Sequence, residues 1–192
     1  MSPSAVKGFL LGIVVTVVVA VIVIYAAVEL GVIPANADTR PGPLERWMAR
    51  TSLRATLARE SGTLTNPLPV NTETLLAGIK IYGENCAFCH GDSTGRPTLA
   101  GFGLYQHAPT LGRHGVEDDP DGETYWKVTH GIRFTAMPSF GKTLSDTERW
   151  QVTTFLKHMN ALPPVAERAW KQISVRSVPR ERAALASPRR AR

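Results

Sequence analysis

Cysteine is almost absent from this chain: two in 192 residues, Cys86 and Cys89. Two thiols so close together cannot staple a fold, which excludes a disulfide framework. A second cysteine pair and a His-x-x-x-His cluster are also missing, so a four-ligand structural zinc site has no donor set. Stretches of convincing apolar–polar alternation are lacking too, and with them the βαβ context of a thioredoxin-like dithiol. The body of the chain has no surplus of charge. The net +6 comes from the end of the sequence, where 160–192 carry eight basic residues against two acidic ones, leaving fourteen of each sign elsewhere. A nucleic-acid partner is therefore not expected. Segment 161–192 reads as a basic C-terminal tail, solvated or drawn to anionic lipid or an acidic partner.

What the sequence does have is one long apolar run. Phe9 to Val28 are twenty apolar or small residues between Lys7 and Glu29, about 30 Å as a helix and so the thickness of a bilayer core. Ala35-Asn36-Ala37 offers a small-x-small pattern for a cleavable signal, but the run exceeds the roughly 7–15 residues of a signal core. Residues 1–33 are accordingly expected to be a retained, single-pass transmembrane anchor. Lys7 is balanced by Arg40 and Arg46 beyond the run, so charge does not set the orientation.

Pro34, Pro41 and Pro43 stop the apolar helix. In 34–70 a helix over 44–60 is predicted, with Arg46, Arg50 and Arg54 in one row and Trp47, Met48, Leu53 and Leu57 around it. It reads as a headgroup- or partner-binding helix or as a solvated spacer. Asn66-Pro67-Leu68-Pro69 then forms a stiff linker. The compact domain is expected over 71–160: a first helix capped by Asn71 or Thr72, a Gly/Pro/Asp-rich middle, a short helix over 124–129, and a last helix with the capping box Ser145…Glu148. The fold class is thus all-α, a membrane helix followed by a helical domain.

The strongest chemical signal is Cys86-Ala87-Phe88-Cys89-His90. Cys-x-x-Cys-His is the pattern for attaching haem c: two thiols at this spacing each add to a vinyl group, and the adjoining histidine is directed beneath the porphyrin to bind iron. Covalent attachment lets a small domain hold a large cofactor. A haem iron used for electron transfer commonly takes a second protein ligand, and methionine raises its potential. Of four methionines, Met1 is terminal, Met48 precedes the domain and Met159 is in phase with the last helix. Met137, on the loop Thr135-Ala136-Met137-Pro138, is the expected sixth ligand. His107, His114 and His130 are the rivals.

From Leu75 to Met159 the sequence resembles the class I, mitochondrial-type monohaem cytochrome c family, in particular the membrane-anchored bacterial domains of respiratory oxidases and dehydrogenases. The resemblance rests on Gly78 and Tyr82 before the Cys-x-x-Cys-His motif and on Ala108-Pro109-Thr110-Leu111. It continues in Gly131-Ile132 before Ala136-Met137-Pro138, then in Leu144-Ser145-Asp146 leading to Trp150. It implies a helical domain around one covalent haem, with the first and last helices crossing at Gly78 against Trp150 or Phe155. It also implies a Pro109 carbonyl that accepts a hydrogen bond from the ligand His90, which would orient the ring. Haem attachment on the exported side is implied as well, placing the amino terminus in the cytoplasm and the haem domain in the periplasm of a bacterial inner membrane. The acidic stretch Glu117, Asp118, Asp119, Asp121 and Glu123 departs from the family pattern. It reads as a solvated face, or as a modulator of potential and partner choice if it borders the haem.

With both axial positions filled no open iron site remains, and the expectation is a one-electron carrier rather than an enzyme. Its expected partners are the membrane and redox proteins such as a dehydrogenase, a cytochrome bc-type complex or a terminal oxidase. A dedicated subunit of a larger complex is the second reading. A haem enzyme or gas sensor is the third, and requires a vacant or weak sixth ligand.

Overall fold

A computed structural model describes residues 3–112 and 115–179, which contain eight helices and no strand. Two compact units divide the chain between Thr39 and Arg40. In the first, α1 (Pro3–Glu29) is a single helix without a buried residue, long and apolar enough to cross a membrane.

The second unit is built on the pair α3 (Thr72–Asn85) and α7 (Asp146–His158), the most extensive helix contact among the described residues. Each starts on a side-chain cap. Asn71 accepts from the Thr74 amide, whereas Ser145 and Glu148 close a reciprocal capping box that satisfies two of the orphan amides of a helix start. Leu75, Ile79 and Tyr82 of α3 meet Val152, Phe155 and Leu156 of α7 in one apolar core. Helix α6 (Asp121–His130) packs on α7, where the Tyr125 ring stacks on Trp150 at 3.9 Å. The expected short helix therefore begins three residues early, taking Asp121 and Glu123 into its first turn, where carboxylates favour the helix dipole.

Packing continues beyond both expected edges of 71–160. Helix α8 (Pro164–Gln172) lies against α3 and buries Ala166 and Trp170. The Trp170 ring meets Tyr82 and Phe155 edge-on, at 5.2 and 5.1 Å. Farther on, Leu99 and Val178 donate amide hydrogen bonds to Arg176 and Pro97, and Val178 is buried. The part of the expected tail up to Val178 is thus core and cover. Its charges, Glu167, Arg168 and Lys171, concealed two apolar positions four apart; the rest of the expected tail, 180–192, lies outside the described residues.

At the other edge, α2 (Pro43–Glu60) joins the second unit rather than standing apart from it. Leu57 is buried, Trp126 donates from Nε1 to Glu60 at 3.0 Å, and Tyr105 donates to Glu45 at 2.6 Å. A Cβ on Gly122 would lie 2.5 Å from the Ser61 carbonyl. In the following linker, Asn66 donates to Thr154 of α7 at 2.8 Å.

Candidate functional site

The cysteine motif occupies the turn that follows α3. Cys86 ends α3, its amide bonded to the Tyr82 carbonyl, and α4 (Ala87–His90) begins at once. The Cys89 and His90 amides both donate to the Cys86 carbonyl, at 3.1 and 2.9 Å. One helical turn therefore carries both thiols and the imidazole, and neither cysteine is in a disulfide. Gly91 then reverses the chain with φ +87°, a conformation that disfavours any residue with a Cβ.

His90 is held by the partner that the family resemblance implied. Its Nδ1 lies 2.8 Å from the Pro109 carbonyl oxygen. A carbonyl can only accept, so Nδ1 carries the proton and Nε2 keeps its lone pair for a metal. Burial lowers the His90 pKa, with the Pro109 bond opposing that shift. A neutral ring at neutral pH is what iron ligation requires. Around Cys86 the same burial, reinforced by Cys89, pushes the thiol pKa up to about 12, which keeps it protonated.

Besides Tyr82, residues that the sequence left unremarked fix this turn. Thr98 caps α5 (Leu99–Gly103) by accepting from the Gly101 amide, and its hydroxyl also donates to the Cys89 carbonyl at 3.2 Å. Gly101 has to be glycine, since a Cβ there would lie 2.1 Å from that same carbonyl oxygen. The buried Tyr82 hydroxyl donates to the Gly91 carbonyl at 2.9 Å. Asp92 accepts from the Thr94 amide and hydroxyl and from the Val175 amide. Burial would raise its pKa, but these donors hold it below the usual carboxylate range. Threonine and aspartate are common in any sequence; the Cys89 partner of Thr98 lies nine positions away and the Val175 partner of Asp92 eighty-three, beyond the reach of local pattern.

Met137 sits half-buried on the loop between α6 and α7. Its carbonyl accepts from the Ile132 amide at 3.3 Å, and its amide donates to Thr135 at 3.1 Å. The ends of this loop are clamped, Phe140 to Val128 by 3.1 Å and Ser139 to Thr129 by 2.7 Å. Gly131 at φ +68° leaves no room for a Cβ beside the Met137 carbonyl, 2.6 Å away. Hydrogen bonds thus hold both ends of the loop, and the Met137 thioether is not part of the apolar core. The other methionines differ. Met159 is a core residue and Met48 is exposed on α2. His107 and His130 pack on aromatic neighbours, Phe102 at 5.1 Å and Trp126 at 4.8 Å; His114 lies outside the described residues. Two lysines pair with three of the five carboxylates of the acidic stretch: Lys127 with Asp119 and Glu123, and Lys157 with Asp121.

The donor set fits haem c. Two thiols on one turn and a neutral imidazole with a free Nε2 are the donors that covalent attachment and iron binding take, and the Met137 thioether is of a type that serves as a further iron ligand.

Comparison with known proteins agrees with this chemistry. Residues 73–156 match the family model described as cytochrome c oxidase, cbb3-type, subunit III. A chain of the Kuenenia stuttgartiensis reducing HAO-like protein complex is 31% identical over 47% of this chain and 45% of that one, with a TM-score of 0.35. This chain therefore spans less than half of that relative's length. No curated protein matches. Residues 73–156 of this chain are accordingly a cytochrome c domain, which implies covalently bound haem c with its iron.

Proposed function

We propose that the protein is a membrane-anchored carrier of single electrons, with its haem domain in the periplasm of a bacterial inner membrane and its amino terminus in the cytoplasm. Electron transfer itself follows from the cytochrome c domain; the rest is our reading. Cys86 and Cys89 would carry the two thioether links, His90 and Met137 would ligate the iron, and the Pro109 carbonyl would orient the His90 ring. When bound, the haem supplies an iron that gains and loses one electron. The observation that carries the proposal is the His90–Pro109 bond of 2.8 Å, which orients the imidazole at the end of the turn bearing both thiols. Held by both His90 and Met137, the iron would have no place for a substrate, and the protein would exchange electrons with a dehydrogenase, a cytochrome bc-type complex or a terminal oxidase.

A second reading, a fixed subunit of such a complex, is favoured by one observation: the matched family is itself described as an oxidase subunit. Gentle detergent extraction followed by sizing separates the two. A free monomer that is reduced and reoxidised by other membrane fractions is the carrier, whereas a stoichiometric assembly is the subunit. Rapid binding of carbon monoxide to the reduced native protein would remove both, because it shows an open iron site.

A further inference from the structure

Helix α2 has two faces of opposite character. Leu53, Thr56 and Leu57 turn toward the body of the domain and are half-buried or buried. Leu44, Trp47, Met48, Thr51, Ala55 and Ala58 recur at intervals of three and four along the other side, which places them on one stripe. All six are exposed, and the large ones strongly so: Leu44 is 67%, Trp47 62% and Met48 56% accessible. No charged residue interrupts this stripe.

Beside it runs a ridge of arginines, Arg46, Arg50 and Arg54, each one helical turn from the next. None of the three makes an ion pair among the described residues. The acidic groups nearest along α2 are engaged elsewhere, Glu45 by Tyr105 and Glu60 by Trp126 and Arg59. An apolar stripe bordered by unpaired arginines, with a tryptophan between the two, is the chemistry of a helix lying in an anionic headgroup layer. The linker also limits where this helix can go. Only residues 30–42 separate α2 from the end of α1, at most about 45 Å of extended chain.

We propose that α2 is an interfacial helix: its Leu44–Trp47–Met48 stripe lies at the boundary between headgroups and acyl chains, and Arg46, Arg50 and Arg54 bind anionic lipid phosphates. The inference rests on α1 being a membrane anchor. Its consequence is that the haem domain, which grips α2 through Leu57, Glu60 and Glu45, is held in a set orientation at the bilayer surface instead of tumbling on a tether.

The test uses the full-length haem protein reconstituted in bilayers of phosphatidylcholine with and without phosphatidylglycerol. A photo-crosslinking benzoylphenylalanine replaces Met48 in one variant and the exposed Lys80 of α3 in another. Irradiation is expected to yield lipid adducts from position 48, more in the anionic bilayer, and none from position 80. Adding Arg46→Glu, Arg50→Glu and Arg54→Glu is expected to abolish the adducts while the haem spectrum stays unchanged. Crosslinks from position 48 to a second copy or to a co-purifying protein, or no crosslink at all, would overturn the proposal. Alkaline extraction of the same samples reads the anchor separately. A chain that stays in the bilayer without lipid adducts at position 48 removes the interfacial helix alone. A chain that is released removes the anchor, and release without adducts removes both.

Discussion

Gly78 of α3 lies so close to α7 that a Cβ on it would come within 2.2 Å of the Gln151 carbonyl oxygen and 2.8 Å of the Phe155 Cβ. The contact is backbone against backbone, and backbone cannot swing aside as a side chain can. Gly78→Ala is therefore expected to force the two helices apart and destabilise the haem protein by about 1–3 kcal/mol. Gly103→Ala, where the added carbon would meet nothing within 4 Å, is the control. Guanidinium unfolding followed in the haem absorption band checks both; equal midpoints for the two variants would contradict the close approach.

The same unfolding assay tests the reach of the domain beyond Asn160. Trp170 is buried and meets two core rings edge-on, so Trp170→Ala is expected to cost about 3–5 kcal/mol. A chain ending at Asn160 should be at least as damaged. One ending at Pro179, which keeps α8 and Val178, should unfold near the full-length midpoint. If stopping at Asn160 is harmless, α8 is an appendage.

Covalent attachment is read most directly on a denaturing gel. Cys86→Ala with Cys89→Ala is expected to yield chain without haem-dependent peroxidase staining, because no thioether survives unfolding. Each single variant should stain while accumulating to a lower level. His90→Ala should accumulate least, having lost the iron ligand at the centre of the turn. Folded, protease-resistant haem-free protein from all of these variants would show that the haem does not organise the domain.

Met137→Ala is expected to abolish the weak sulfur-to-iron band of the oxidised protein, lower the reduction potential and admit carbon monoxide to the reduced iron. Met159→Leu, a volume-conserving change in the core, should leave all three readouts as they were. Retention of the band in the Met137 variant would show that another sulfur is the ligand, whereas a native protein lacking the band altogether would point to a histidine, His107 and His130 being the described alternatives.

Glu148 gives a pH dependence whose direction is set by the α7 capping box. The Ser145 amide, then the Ser145 hydroxyl, hold its pKa below the ordinary glutamate value, with Lys80 adding attraction. A pKa depressed in the folded state means that the ionised group's contribution to stability is complete above the ordinary value of about 4.3 and is lost as pH falls through the lower folded value. The melting-temperature gap between the native protein and Glu148→Ala should accordingly be constant near neutrality and close in acid. A carbon-detected titration of the Glu148 carboxyl gives the folded pKa itself; an ordinary value would show that the box is open in solution.

How much of this was readable in advance divides along the range of the interactions. Asn71, Ser145 and Glu148 mark helix starts because a cap bonds to an amide two or three residues away, so the signal is local. The span of α1 follows from composition alone, and the Cys86–His90 turn from chemistry packed into five consecutive residues. Each of these the sequence by itself determined. The domain's edges were decided only by tertiary structure. Trp170 became core because Tyr82 and Phe155 present ring faces and edges where α8 can reach, and the chain after α2 lies close on α6 because glycine at position 122 leaves room for the Ser61 and Leu64 carbonyls. The same holds for the shell around the turn: Thr98, Gly101 and Asp92 support Cys89 and the chain after His90 through partners brought close by folding. A residue's own chemistry is written in its side chain, but whether that chemistry is buried, paired or exposed depends on which distant backbone comes to rest beside it.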